Sequence, residues 1–588
     1  MIRKLVRQML AAQIVSALTV SVCLLIDNIM IGRFLGVNGL AAYGWANPLL
    51  LIIGAVASML SAGVQVVCSK SLGSGSQEET NKGYSSAVAA ALGVSLLLTA
   101  AVIIFRDPLA TMLGAGSEGE VFKETSDYLA GFVLGAPGSI GALVLVPFMQ
   151  MAGKSGLLIA AVLGMTAADI GLDLLNVYVF HGGMFGMGLA SALSYYVAVL
   201  VGLIYFLSSK CVFRFSVKAV TLKKIRELFV GGIPSVFNMV STVIMVFAVN
   251  HILEATDGHD AVAAFSLLMT IGNAANCIST GIGGVSLTLS GILYHEEDRT
   301  GLRDLLSTLS RASVLLGLTV GAALALGAPV LVGIFLPGES AARQMAVWGL
   351  RLFAAGLLPC CLNNALKNAY QGTGRVLLTE CISMTEGALL PVLVAFIFSR
   401  WTGTSGVWLF FALGEAMTLM LIVLLVKRNQ KGRRLSAESF LLLRPDFGVR
   451  KEDLLEMNVG TRDEAAEAAR RAEQFCLDHG QTVRFSNRIS LCVEEMATNT
   501  VLYGFLPGEK HHLSVRVQTK GGQWVLRFRD DCTAFDPIHY VPGPDRTDAV
   551  GIRLVLKMAD DIRYTYSLSM NNLMIALNEA AAPEKSDI

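Results

Sequence analysis

Residues Leu18–Pro48 read LTVSVCLLIDNIMIGRFLGVNGLAAYGWANP. An apolar run starts near Met9, carries no formal charge until Asp27, and resumes through Ile31 before Arg33 and Gly36. An ionisable side chain inside a membrane-length apolar segment is costly, which makes Asp27 a functional candidate by default. At 1.5 Å per residue Asp27 lies roughly 30 Å along a helix from Arg7. The alternative reading, that Asp27 is merely wet at the far end of the span, weakens if the first residues lie flat on the membrane surface and the span begins later.

Outward from this stretch the same composition continues. The chain has 588 residues, 54% hydrophobic and only 15% charged, with a mean hydropathy of +0.59. Soluble domains are about a quarter charged, so this composition describes a membrane protein with a soluble part appended. Charge is sparse up to Val426 and dense after it. A net charge of +1 carries no information about nucleic acid, and nothing in its distribution points to one. The ten cysteines form no CxxC pair and no His/Cys ligand spacing, which argues against a disulfide framework or a zinc site. No short apolar leader with a cleavage site is visible, so Met1 is expected to start the mature protein.

Apolar segments of bilayer length recur at about 10–35, 45–70, 84–106, 127–151, 156–180 and 184–208, and again at about 228–254, 261–293, 306–336, 344–371, 376–399 and 403–426. If the spans alternate, Arg3, Lys4, Arg7, Lys70, Lys82, Lys154, Arg299, Arg303, Lys427 and Arg428 fall on one side. Asp107, Glu118, Glu120, Glu254, Asp257 and Asp260 fall on the other. The positive-inside bias then places both termini in the cytoplasm of a multi-pass cell-membrane protein. The halves repeat. Gly63, Gly73, Glu78, Glu79 and Gly83 recur 218 positions on as Gly281, Gly291, Glu296, Glu297 and Gly301. A duplicated set of six spans inserts twice in the same orientation, and the two copies relate by an axis along the membrane normal. The expected fold is an all-α polytopic bundle of about twelve helices in two six-helix repeats, 1–215 and 216–430. A linker at 431–447 leads to an α/β-sandwich domain at 448–582.

Asp27-Asn28, Ile31-Gly32, Leu35-Gly36, Leu40-Ala41-Ala42, Pro48, Gly63 and Gly73-Ser74-Gly75, in this order over twelve spans, resemble the multidrug and toxic compound extrusion (MATE) transporters. The resemblance covers about residues 8–427. It implies export of amphipathic, often cationic solutes driven by inward H⁺ or Na⁺. Flippases of lipid-linked saccharides share the architecture and stand as an alternative.

An antiporter needs a group whose charge follows the coupling ion, and a carboxylate in a low-dielectric cleft can load and release a proton in the working pH range. Asp169 and Asp173 lie four apart in TAADIGLDLLNVYVF, on one helix face. The MATE resemblance implies acids at Asp27 and Asp173 in the proton-coupled branch. That branch usually shows Asn at the Asp169 position and Pro at that of Leu174. Na⁺ would find oxygen ligands in Asp27, Asn47 and Asp173. The sodium-coupled branch favours a Glu shortly after the proline of span seven, and Pro234–Thr242 holds no acid. Lys367 with Glu386 or Glu415 is expected to form a structural ion pair.

The appended region reads as two helices, Arg462–Gly480 and Phe485–Tyr503. A hairpin, His512–Gln518 with Gln523–Asp530, turns at Gly521-Gly522. A short helix, Val550–Ala559, and a second hairpin, Ile562–Ser567 with Asn572–Leu577, follow. SLCVEEMATNTVLYGF places Glu495 and Asn499 on one helix face, RDDCTAFDP is an acidic turn after a strand, and AVGIRLVLKMA leads a loop into a helix whose free N–H groups suit phosphate. Together these resemble the anti-sigma-factor serine kinases of the histidine-kinase-like ATPase fold. The resemblance implies ATP and Mg²⁺ as cofactors, with Glu495 as general base, Asn499 as the Mg²⁺ ligand, Asp530 as reader of the adenine amino group and Gly551 in the phosphate lid. It also implies serine kinase activity toward a small anti-anti-sigma (STAS-like) partner. Cys532, Tyr503 and Arg553 depart from the Gly, His and Gly of that pattern. No GxxxxGK[ST] string is present, so ATP is not expected to power transport. A membrane sensor that relays solute occupancy to this kinase-like domain is a further alternative.

Overall fold

The computed structural model describes residues 2–208, 211–336, 340–430, 436–444, 446–506, 508–540 and 549–578. Linker residues 431–435 and the expected domain end at 579–582 lie outside them. The first half comprises α1 (Ile2–Met30), α2 (Gly36–Gly73), α3 (Gln77–Leu113), α4 (Glu120–Val133), α5 (Ala136–Met151), α6 (Ser155–Leu175) and α7 (Gly183–Phe206). The second comprises α8 (Leu222–Asp257), α9 (His259–His295), α10 (Arg299–Phe335), α11 (Ala341–Gly372), α12 (Val376–Met384), α13 (Leu390–Thr402), α14 (Thr404–Val407) and α15 (Phe410–Asn429). Among the described residues eleven helical stretches are long and apolar enough to cross a membrane. The pair α4 and α5, bent by 46°, makes a twelfth. The bend falls at Gly135, where a Cβ would lie 2.4 Å from the Ala192 backbone, and Pro137 opens α5. The first span begins at Ile2 as one continuous helix rather than near Met9.

Local chemistry sets the ends of these helices. Ser76, Thr221 and Asp298 each accept a hydrogen bond from a backbone N–H in the first turn of α3, α8 and α10, which satisfies donors that a helix start leaves free. Single π-turns interrupt three spans, at Ile31–Leu35, Asn176–Phe180 and Thr385–Leu389. Each follows or contains an acid singled out in the sequence, and such bulges gather at functional sites.

The two halves pack α1 on α9 and α2 on α8. Glycine lets backbones touch along this seam, as small residues do between helices in lipid. A Cβ on Gly63 would lie 2.0 Å from the Leu228 carbonyl oxygen, and one on Gly232 would lie 1.9 Å from that of Met59. Gly73 meets Ile292 and Gly291 meets Ser69 in the same way. Thr288 donates to Gln65 across the seam at 3.1 Å. All of these contacts lie toward the end at which α2 and α9 finish. The seam is therefore closed at that end.

The C-terminal domain stands on this closed end. Helices α16 (Arg462–Asp478) and α17 (Val483–Asn499) cover one face of a five-stranded antiparallel sheet of order β1-β2-β3-β5-β4. Its strands are β1 (Leu454–Val459), β2 (Leu513–Lys520), β3 (Gln523–Asp530), β4 (Asp561–Ser567) and β5 (Met570–Asn578), and α18 (Ala549–Met558) precedes β4. Trp524, Leu526, Val515, Ile575 and Leu577 fill its core against Ile489, Cys492 and Val493 of α17. The two hairpins and three helices match the sequence reading within a few residues. β1 is an element that reading omits.

Candidate functional sites

Asp27 on α1 and Asp169 and Asp173 on α6 come together inside the first half. They are 6%, 3% and 0% exposed, so Asp27 is neither wet nor turned to lipid. The three carboxylates lie close enough to interact with one another, and Asp169 also reaches Cys23 and Ser194. Ser191 donates to Asp27 Oδ2 at 3.5 Å. Asp27 Oδ1, Asp169 Oδ1 and both oxygens of Asp173 have no hydrogen-bond partner among the described residues. Buried Tyr43 and Tyr128, edge to face at 5.4 Å, close the site from α2 and α4. The i, i+4 spacing puts Asp169 and Asp173 on the face of α6 that packs on α1 and α7. Asn47 is exposed, whereas the three carboxylates are buried. Ser191, Ser194 and Tyr43 belong to this site but carry no signal in the sequence, because small hydroxyl residues and tyrosines are ordinary in such helices.

The second half holds a separate polar cluster. Lys367 Nζ pairs with Glu386 at 3.0 Å, both below a tenth exposed. Of the two acids named for Lys367, it is Glu386 that it meets. Glu415 instead accepts from Asn363 Nδ2 at 2.7 Å, and Cys360 lies within 4.8 Å of both acids. Lys367, Glu386 and Glu415 each have a hydrogen-bond partner, whereas neither oxygen of Asp173 in the first half has one among the described residues.

In the C-terminal domain Asn499 and Asp530 line one cavity of about 300 Å³, with Tyr503, Phe535, Tyr564 and Asn571. Asp530 Oδ1 accepts from Asn571 Nδ2 at 2.7 Å and from the Cys532 backbone N–H at 3.1 Å. Burial pushes the Asp530 carboxyl above its ordinary value, against the donation from Asn571. Cys532 stands against Gly504, where a Cβ would come within 3.0 Å of its sulfur. Glu495 lies one turn before Asn499 and packs on the start of α18. A Cβ on Gly551 would lie 1.8 Å from Glu495 Oε2, so a larger residue there would push the Glu495 carboxylate aside. A carboxylate in the first turn of a helix suits the positive end of its dipole, and Glu495 thus occupies the position where a phosphate was expected. Arg553 is exposed. The cavity is of a size that takes a nucleoside-sized ligand, and an amide and a fixed carboxylate converge in it.

Comparison with known proteins agrees with this architecture. The MatE family matches residues 12–175 and 234–397, two segments of equal length that correspond to the duplicated halves. The histidine kinase-like ATPase domain matches residues 460–576. The multidrug export protein MepA of Staphylococcus aureus strain NCTC 8325 is 25% identical over 400 residues, 66% of this chain and 86% of that protein. MepA of Staphylococcus haemolyticus is 27% identical over 230 residues, 39% of this chain and 50% of that one. Among solved structures, MATE in complex with MaL6 superposes with a TM-score of 0.67 at 19% identity, covering 71% of this chain and 94% of that one. A MOP superfamily transporter from Pyrococcus furiosus gives 0.67 at 20% identity, covering 75% and 97%. These two show the fold. With the family matched over more than half its length, the chain is a multi-pass membrane protein of the MatE family that carries a histidine kinase-like ATPase domain at its C-terminal end.

Proposed function

We propose that this protein is an antiporter that exports amphipathic or cationic organic solutes in exchange for H⁺ or Na⁺, regulated by ATP bound in its C-terminal domain. The observation that carries this reading is the trio Asp27, Asp169 and Asp173, buried with four orphan oxygens. Buried carboxylates without donors are stable only when a proton or a cation accompanies them. A site that must hold a cation, inside one of two halves that meet at a seam, is what ion-coupled alternating access needs. Asp27 and Asp173 hold the ion, and Asp169 adds a third acceptor. The solute class follows from the kinship with multidrug export proteins. The basic loops at the domain-bearing end favour a cytoplasmic location for it, where ATP is available. In the domain, Asn499 would hold Mg²⁺, Asp530 would accept from the adenine amino group, Gly551 lies in the lid, and Glu495 is the general base if a protein serine is phosphorylated. A STAS-like protein is the partner of that activity.

Uptake of an organic cation into proteoliposomes under imposed pH or Na⁺ gradients, with and without ATP, tests this reading. Asp27→Asn and Asp173→Asn should abolish gradient-driven uptake while leaving the protein folded. Uptake by Asp27→Asn at the parent rate would remove the carboxylate trio from the mechanism.

A further inference from the structure

The C-terminal domain grips both halves of the membrane unit at the closed end of their seam. On the second half, three consecutive acids after α9 each meet a base on the sheet. Glu296 pairs with Arg529 at 2.5 Å, Glu297 with Lys520 at 2.6 Å and Asp298 with Arg516 at 2.6 Å. The linker adds to this hold, as Glu438 and the Phe447 carbonyl both accept from Arg299. On the first half the grip is the β4–β5 hairpin. Its turn, Leu568-Ser569, is left-handed at both residues, with φ of 57° and 59°. This is the tight two-residue geometry that fixes a hairpin tip. The Leu568 N–H donates to the Met151 carbonyl at 2.6 Å, and Ser569 Oγ donates to that of Gly153 at 3.2 Å. Arg563 on β4 donates to the Ser74 carbonyl at 3.1 Å. Leu568 and Met570 also join the apolar core of the membrane unit.

The sheet order spreads these two grips apart. β2 and β3 carry the bases that meet the second half's acids, and β4 and the β4–β5 turn reach the first half's carbonyls. The end of β3 and the start of β5 lie between, where Asp531 meets Lys4 of α1 and Met570 lies beside Leu289 of α9. One rigid sheet therefore spans the seam whose opening alternating access requires.

The grip and the nucleotide cavity share two strands. Successive residues of a strand face opposite ways. Asp530 and Asn571 meet in the cavity, while their neighbours Arg529 and Asn572 meet at 2.6 Å on the docking face. Asn571 lies two residues from the Ser569 tip. A ligand that rearranges the Asp530–Asn571 pair therefore acts next to the residues that hold the first half.

We propose that the C-terminal domain is a latch across the transport seam: it stays on the second half through its acidic-loop contacts and linker, and the β4–β5 hairpin must release the 73–76 and 151–154 loops of the first half before that end can open. The latch rests on the antiporter reading for its consequence but not for its existence. The second half keeps the domain because it holds it by charge, by linker and by chain connection. The first half holds it through three main-chain carbonyls, which water can satisfy after release, and through an exposed ion pair of Lys4 with Asp531 at 3.9 Å, which contributes little. Leu568 and Met570 pack where Ile2 and Leu5 of α1 meet Leu289 and Leu293 of α9.

The test uses the full chain. A Cβ on Gly75 would lie 3.3 Å from Arg563 Cβ, close to the separation a disulfide needs. Gly75→Cys with Arg563→Cys, in a background where Cys211 and Cys381 are alanine, should bridge on oxidation. Bridging should lower ethidium efflux from cells at least tenfold, and dithiothreitol should restore it. Gly75→Cys alone controls for the strained backbone at that residue. A second readout does not depend on transport: Ser69→Cys lies in the closed seam, and its maleimide labelling should slow at least fivefold when the bridge is formed. Failure of the bridge to form would overturn the docking, and a complete bridge that leaves labelling at residue 69 unchanged would overturn the latch. If no parent protein moves any solute, the antiporter reading falls alone and the labelling still decides the latch.

Discussion

Gly63→Ala should drive the closed end of the membrane unit open. A Cβ there would lie 2.0 Å from the Leu228 carbonyl oxygen, whereas ordinary contact begins at 3.4 Å. Helices α2 and α8 must then part by about 1.4 Å at this crossing, because a packed interior offers no void to absorb the methyl group. The obstacle is backbone on both sides, so no side chain can swing away. Overpacking of this kind costs about 1–3 kcal/mol. The cost exists only while the seam is shut, so it raises the open-to-closed ratio roughly 5- to 150-fold. The assay is the rate of maleimide labelling at Ser69→Cys, read in membranes. Gly93→Ala is the control, since nothing lies within 4 Å of a Cβ at that position. Gly232→Ala, which faces Met59 across the same crossing, should repeat the effect. Equal labelling rates in Gly63→Ala and Gly93→Ala would show that this crossing does not part when the end opens.

Two more outcomes follow from the buried charges. Lys367→Met leaves Glu386 uncompensated and should destabilise the second half by about 3–5 kcal/mol; a lower melting temperature in detergent, largely recovered by adding Glu386→Gln, is the check. Asp530 is more readily protonated in the fold than in the unfolded chain, so its protonated form stabilises the domain at low pH. That contribution is lost as pH rises through its raised folded value. Asp530→Asn should therefore leave stability at neutral pH undiminished yet weaken binding of a fluorescent ATP analogue about tenfold or more, the loss of a hydrogen bond to a charged acceptor. For the parent, the same analogue should bind more weakly as pH falls toward the ordinary carboxylate value of 3.8. Tight binding by the variant at all pH values would take Asp530 out of the nucleotide site.

The sequence by itself determined the span count, the duplication and the presence of an appended ATPase-like domain, and it singled out the isolated acids as candidates, because hydropathy, internal repetition and an isolated charge are properties of the chain read locally. It also found both hairpins and the three helices of the appended domain, whose turn glycines and apolar spacing are likewise local. Only the tertiary structure decided which acids meet. Asp27 and Asp173 share a site because of how α1 and α6 are rotated about their axes, and that rotation is set by packing on α7 and α9. The same packing leaves Asn47 exposed, gives Lys367 to Glu386 and hands Glu415 to Asn363. Strand β1 was not legible because Leu454–Val459 carries Glu456 and Asn458 on its outer face and becomes a strand by pairing with β2. The docking of the sheet on the seam left no trace in the sequence either. An acidic triplet and three basic residues more than two hundred positions away look like ordinary solvated charge until the fold brings them within 2.6 Å.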